Sequence, residues 1–421
     1  MAGRVLRRRR GIEGAASPAG PGLGWAALAF PAGLSLLGAL LPAGCDRSER
    51  PPPIADPIPT PSEPDPIVDP DETPNPSTIS PCGAATVTLD FVRPNLYFAI
   101  DASGSMTDNI PRGEATYTAG AGPANRYAAL SRAIEALLSR VGHRVNYGAT
   151  LFPSPDVDCD AGEEIHALAA GDDVSFAVSG ELGPVLRSFM FSIDRRSPRG
   201  GTPVARALDG LVPRLAGAGP NTYVFLVTDG GPNCNNQARC GVDACIPNIE
   251  RVSVGQGLVC DESINCCDGS VFGPSNCLDT SGSLGAVQSL AAVGVRTFVI
   301  GIPGSEAYAS LLDQLAVAGG TARVESPRYY RVADAEALLQ TVSALGSTVA
   351  LGCSIQLLEP PPDPALINLF FDGELIPSDP DEGWTFSDAN SVEVHGAACT
   401  LLENGDVLQA DVIAGCPIVI Q

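Results

Sequence analysis

The sequence predicts a doubly wound α/β fold: a mostly parallel sheet with helices on both faces, a disulfide-rich insertion, and a small β-rich module at the C-terminus. Three observations lead there. Between residues 84 and 347, apolar runs of strand length alternate with runs of helical period, the rhythm of a parallel sheet with crossover helices. Two of those runs, residues 96–100 and 223–228, end abruptly on carboxylates, Asp101 and Asp229. Residues 231–280 break the rhythm, with seven cysteines, many Gly, Asn and Asp, and little periodicity.

Taken in order, residues 86–92 form an extra strand and residues 96–101 the first strand that ends on an acid. Residues 127–141 are an amphipathic helix, with Ala128, Leu130, Ile134, Leu137 and Leu138 on one face. Residues 145–152 and 174–178 are strands, and residues 182–193 are helical. Arg199-Gly-Gly-Thr-Pro then opens a helix over 202–215, with Thr202 at the N-cap and Pro203 in the first helical position, where its missing N–H costs nothing. Strands follow at 223–229, 295–302 and 329–332, and helices at 284–292, 305–318 and 334–345. The sheet domain therefore spans 82–348, and alternation with turn residues from Val349 on marks the β-rich module, 349–421.

The flanks have their own signatures. Arg4 and Arg7 to Arg10 precede an uncharged, apolar run that ends at Leu41-Pro-Ala-Gly-Cys45, the layout of an export signal over 1–44. The boundary resembles that of a bacterial lipoprotein, although Pro42 stands three before the cysteine where Leu is usual. That resemblance implies that Cys45 is lipidated and anchors the chain to a membrane, with the outer membrane or the cell surface favoured over the inner membrane. Residues 45–81 form an acidic linker, whose stretch 51–81 holds 12 prolines and six acids. Extended at ~3.1 Å per residue, that stretch reaches roughly 95 Å, a stalk between membrane and domain.

Composition narrows the function. The net charge is −23, every basic residue is arginine, and no basic stripe interrupts the body of the chain, so nucleic acid is excluded as a partner. The three histidines, His143, His166 and His395, lie in no nucleophile elbow or zinc-protease motif, and Gly120-Ala-Gly122 lacks the Lys-Ser/Thr of a phosphate loop. The chain is expected to be no enzyme. Thirteen cysteines in an exported chain point to disulfides. Zinc is disfavoured because paired Cys-x-x-Cys spacing is missing from the insertion. The seven cysteines of 234–277 cannot all pair among themselves, and Cys159 is the nearest source of an eighth; eight allow 105 connectivities.

Asp101, Ser103 and Ser105 follow the first apolar strand at alternate positions, placing hard oxygens at the carboxyl end of a sheet strand, where ligands of open α/β sheets sit. Asp229 ends a second strand in the same way, and Thr202 adds a hydroxyl on a loop between them. Asp-x-Ser-x-Ser, Gly-Gly-Thr-Pro and a strand-terminal Thr-Asp-Gly, in that order, resemble the metal-ion-dependent adhesion site of a von Willebrand factor type A domain. The resemblance covers residues 84–347 and implies that Asp101, Ser103, Ser105, Thr202 and Asp229 hold Mg²⁺, or Mn²⁺ or Ca²⁺. It further implies a protein partner that offers a carboxylate to the ion. Cell adhesion by an envelope lipoprotein is the function it suggests, and the alternative is an envelope structural or assembly protein with no external ligand. Because the ends of such a domain lie close together, Cys82 is expected to pair with Cys353, leaving Cys399 for Cys416.

Overall fold

Two strands open the described chain: β1 (Val87–Leu89) and β2 (Asn95–Asp101). The structure is a computed structural model describing residues 87–89, 92–111, 125–219, 221–255, 257–269, 272–350, 352–404 and 406–415. The signal, the linker, Cys45, Cys82 and Cys416 lie outside the described residues. Every residue of β2 is buried, which is what its uninterrupted apolar sequence requires of a strand covered on both faces. Helix α1 (Arg126–Val141) follows, its N-cap Asn125 accepting the N–H of Ala128 at 2.7 Å. Then come β3 (Asn146–Phe152) and β4 (Glu163–Ala170), short α2 (Val174–Ser179), α3 (Pro184–Asp194), α4 (Val204–Leu215) and β5 (Thr222–Thr228).

The insertion contributes α5 (Ile246–Ile249) and the hairpin β6 (Ser253–Gly255) with β7 (Leu258–Val259). The sheet rhythm resumes with α6 (Thr280–Ala292), β8 (Val295–Gly301), α7 (Ala309–Ala318), β9 (Tyr330–Arg331) and α8 (Ala335–Ala350). Together these strands form one sheet in the order β4-β3-β2-β5-β8-β9, parallel throughout except for β4. The doubly wound, mostly parallel sheet is therefore present as expected. Leu96, Phe98 and Ile100 pack with α1, α3 and α8 on one face, and Tyr97 and Ala99 pack with α4, α6 and α7 on the other. Phe98 anchors the first face, its ring 5.5 Å from Phe225 and 6.3 Å from Phe189, and truncating it to alanine would cost about 3–5 kcal/mol.

Several expectations need correction. Residues 174–178 are helical in α2: their alternating pattern suggests a strand, but Asp173 caps a helical turn by accepting the N–H of Ser175 at 2.9 Å. Residues 163–170, which the sequence gives no strand, are β4, an edge strand with little burial and so no apolar signal. Helix α4 starts at Val204, so Pro203 and not Thr202 takes the cap position.

The C-terminal part adds β10 (Ser354–Gln356), β11 (Ile367–Phe371), β12 (Glu374–Ile376), β13 (Trp384–Asp388), β14 (Ser391–Val394), α9 (Gly396–Asn404) and β15 (Ala410–Ala414). Its small sheets run β1-β15-β11-β12 and β10-β14-β13, so the β-rich module is confirmed with two additions. One is α9, and the other is β1, which pairs antiparallel with β15 and thereby laces the start of the domain into the module. Its apolar residues, including Leu369, Trp384 and Val412, continue the core formed by β2 and α1. Cys353 is bonded to Cys399, not to Cys82, because the chain leaving α8 enters β10 alongside α9. The pairing of Cys399 with Cys416 falls with it.

Candidate metal site

Asp101 and Asp229 leave the carboxyl ends of neighbouring strands, with Ile100 paired in register to Val227. The chain after Asp101 turns at once into a 3-10 turn, Gly104–Thr107, which brings Ser103 and Ser105 back over the strand end. The N–H of Ser103 donates to Asp101 Oδ1 at 2.8 Å, and Thr228 Oγ1 donates to Asp101 Oδ2 at 2.6 Å, so both carboxylate oxygens are oriented. Ser103 and Ser105 hydroxyls lie 3.2 Å apart, and Ser105 Oγ donates to Asp229 Oδ1 at 2.9 Å. Thr202 completes the group from the loop before α4. A Cβ added at Gly230 would lie 3.6 Å from Thr202 Oγ1 and 3.8 Å from Ser105 Oγ, so both hydroxyls border the same small space. All five sequence-predicted residues are brought together.

The threonine loop is fixed from three sides. Gly200 accepts the N–H of Gly104 at 3.0 Å, and the N–H of Gly201 reaches Asp158 O at 2.9 Å. From the insertion, Asn233 Oδ1 accepts the N–H of Thr202 at 2.8 Å. The predicted eighth cysteine is confirmed: Cys159 pairs with Cys234, and the remaining insertion pairs are Cys240–Cys277, Cys245–Cys267 and Cys260–Cys266. The loop needs glycine at 201 because a Cβ there would stand 2.6 Å from Cys234 Sγ.

Asp101 is fully buried and Asp229 nearly so. Burial pushes the Asp101 carboxyl up to about 7, and the negative charge of Asp229 adds to the rise. Burial also raises Asp229, and the Arg126 guanidinium pulls it back. No ion pair reaches Asp101 among the described residues. Two carboxylates and three hydroxyls, all hard oxygen donors around one space and short of positive charge, fit a small divalent cation. The sulfur clusters Cys240, Cys267, Cys277 and Cys353, Cys399, Glu403 do not, since their cysteines are in disulfides.

Sequence reasoning misses three contributors. Thr228 is visible only as the residue before a strand-terminal acid, Asn233 only once the fold brings it to Thr202, and Arg126 carries no motif. Arg126, at the first position of α1, holds Asp229 Oδ2 at 2.5 Å. Outside the cluster runs a groove of about 540 Å³ with Ser105, Thr202 and Gly230 on one wall and Ile246, Glu250 and Phe272 of the insertion on the other.

No family model matches the chain, and no curated protein matches it. Solved structures do. A pilus adhesin of Lactobacillus rhamnosus GG, SpaC in its open conformation, is 14% identical over 79% of this chain, with a TM-score of 0.42. A von Willebrand factor type A structure from Catenulispora acidiphila is 12% identical over 79% of this chain and 61% of its own, TM-score 0.38. The type A domain of the Porphyromonas gingivalis pilus tip protein Mfa5 is 12% identical over 62% of this chain and 97% of its own, TM-score 0.38. The chain spans 40% of the SpaC chain. Likeness at this level carries nothing about activity, which rests on the site.

Proposed function

We propose that this chain is a lipid-anchored envelope protein that binds a protein partner through a divalent-cation adhesion site. The observation carrying the reading is the convergence of Asp101, Ser103, Ser105, Thr202 and Asp229 at the carboxyl ends of two adjacent sheet strands. Ser103, Ser105 and Thr202 would supply hydroxyl oxygens, and Asp101 and Asp229 negative charge, to Mg²⁺, Mn²⁺ or Ca²⁺. A bound ion of this kind keeps a coordination position that a carboxylate can take. Thr228 and the Ser103 N–H keep Asp101 oriented, Asn233 keeps Thr202 in place, and the groove beside the insertion gives a partner chain somewhere to lie.

The anchor half of the reading rests on Cys45 and its preceding apolar run. Titration calorimetry on the full mature chain tests the metal half: one Mg²⁺ or Mn²⁺ per chain is expected, and no detectable binding overturns it. Mass spectrometry of the mature N-terminus tests the anchor, with an acylated Cys45 expected. The adhesion step is tested by crosslinking on intact envelopes, where EDTA should abolish a specific adduct.

A further inference from the structure

The strongest unexplained feature beside the site is a positive charge inside it. Arg126 Nη1 lies 2.5 Å from Asp229 Oδ2 and 3.2 Å from the Ser105 carbonyl, with exposed Asp108 at 3.4 Å. The arginine side chain is only 14% exposed and that of Asp229 is fully buried, so water screens this pair weakly. Its other terminal nitrogen is confined as well: a Cβ on Gly304, whose φ is +114°, would meet Arg126 Nη2 at 2.9 Å.

The two oxygens of Asp229 have separate duties. Oδ1 faces the Ser105 hydroxyl at 2.9 Å and so the metal-side cluster, while Oδ2 belongs to Arg126. We propose that Arg126 is a built-in counter-cation that sets the metal affinity of the site, subtracting one positive charge's worth of attraction from what the two carboxylates offer a divalent ion. This rests on the metal reading above. It follows from the placement: Arg126 takes the carboxylate oxygen that the Ser105 hydroxyl leaves free, so it can stay in place when the site is loaded and repel the incoming ion through Asp229. It also explains how two buried acids on adjacent strands stay assembled without metal, since Arg126 offsets part of their mutual repulsion. The result is a site that is ordered beforehand and binds its ion weakly enough to exchange it.

The test compares Mn²⁺ binding in the full mature chain, wild type against Arg126→Gln and Arg126→Lys. At partly buried separations of a few ångströms, loss of the guanidinium charge should tighten Mn²⁺ binding by about tenfold or more. The lysine variant, which keeps the charge without the fixed fork of donors, should lie between the glutamine variant and wild type. The melting shift on adding Mn²⁺ should be larger for the glutamine variant than for wild type, and a glutamine variant that folds only with Mn²⁺ present supports the assignment in the same way. Equal or weaker Mn²⁺ affinity in Arg126→Gln overturns it. So does a glutamine variant that melts below wild type and gains nothing from Mn²⁺, which would make Arg126 a structural pin. Absence of Mn²⁺ binding in all three chains sinks the metal reading itself, whereas measurable and equal affinity sinks only this assignment.

Discussion

Asn233 grips the Thr202 backbone on both sides of its Cα: the Asn233 side chain accepts the Thr202 N–H at 2.8 Å, and the Asn233 N–H donates to the Thr202 carbonyl at 2.9 Å. The next residue, Cys234, is bonded to Cys159 in the loop between β3 and β4. The insertion thus positions a metal-site hydroxyl from outside the sheet. Asn233→Ala should weaken Mn²⁺ binding by about 10- to 100-fold, the usual range for losing a partner that orients a ligand, with a cooperative melt retained. Calorimetry showing unchanged affinity would remove the insertion from the site's support. Replacing Cys159 and Cys234 together with serine should in addition lower stability by up to about 4 kcal/mol, since their bond spans 75 residues.

Much of this is legible in the sequence, and what is not has physical reasons. Strands β2 and β5 announce themselves because burial on both faces demands unbroken apolar runs, and the acids that end them mark the site. Strand β4 is silent because it is an edge, and α2 misleads because six residues are too few to separate a period of 2 from one of 3.6. Helix α9 hides inside a β-rich module. Arg126 and Asn233 belong to the site by topology alone: 25 residues separate Arg126 from Asp101, and no spacing rule links them. Disulfide partners need the fold as well, which is why Cys353 turns out to pair with Cys399.

Asp101 gives a prediction with two signs. Its carboxyl is raised to about 7, first by burial and then by Asp229, so in metal-free protein its cost to stability grows as pH rises from the ordinary aspartate value of about 3.9 and is complete above about 7. Asp101→Asn should therefore melt at or above wild type in EDTA at pH 8, and it should lose most of the melting shift that Mg²⁺ or Mn²⁺ gives wild type. A metal shift equal to that of wild type would show that the five oxygen-bearing residues are not a working site.

The Cys353–Cys399 bond should matter to the C-terminal module more than to the metal. It closes 46 residues and ties the end of α8 to α9, so its removal should cost up to about 4 kcal/mol. Non-reducing peptide mapping should recover Cys353 and Cys399 in one linked pair. Serine at both positions should leave Mn²⁺ affinity within about threefold of wild type, because distant, independent sites contribute additively. Loss of metal binding in that variant would mean that the module and the site are coupled through the shared core.

His143 makes the docking of that module sensitive to acid. Its Nε2 lies 2.7 Å from the Leu408 carbonyl, to which Arg144 Nε also donates at 3.0 Å. Nδ1 is buried with no partner among the described residues, so the ring packs against the module where a second positive charge beside Arg144 is disfavoured. Burial lowers its pKa, with the charges of Arg144 and Arg93 adding to the fall and the Leu408 hydrogen bond and Asp173 opposing it. For a base depressed on folding, stability is complete above the ordinary histidine value of about 6.5 and is lost as pH falls below it, because the unfolded chain takes up a proton that the folded one refuses. His166, stacked on Tyr147 at 5.5 Å and likewise lowered by burial, acts in the same direction. Asp101 and Asp229 oppose both in metal-free protein, since burial raises each carboxyl and a raised carboxyl favours the folded state as pH falls. The experiment therefore belongs in the Asp101→Asn background. There, with Asp229 common to both chains, the melting temperature should fall less between pH 7 and 5 after His143→Gln is added than before it, since glutamine cannot take up the proton and keeps a donor near Leu408. A pH profile unchanged by His143→Gln would mean that the contact between His143 and Leu408 does not carry the acid sensitivity of this fold.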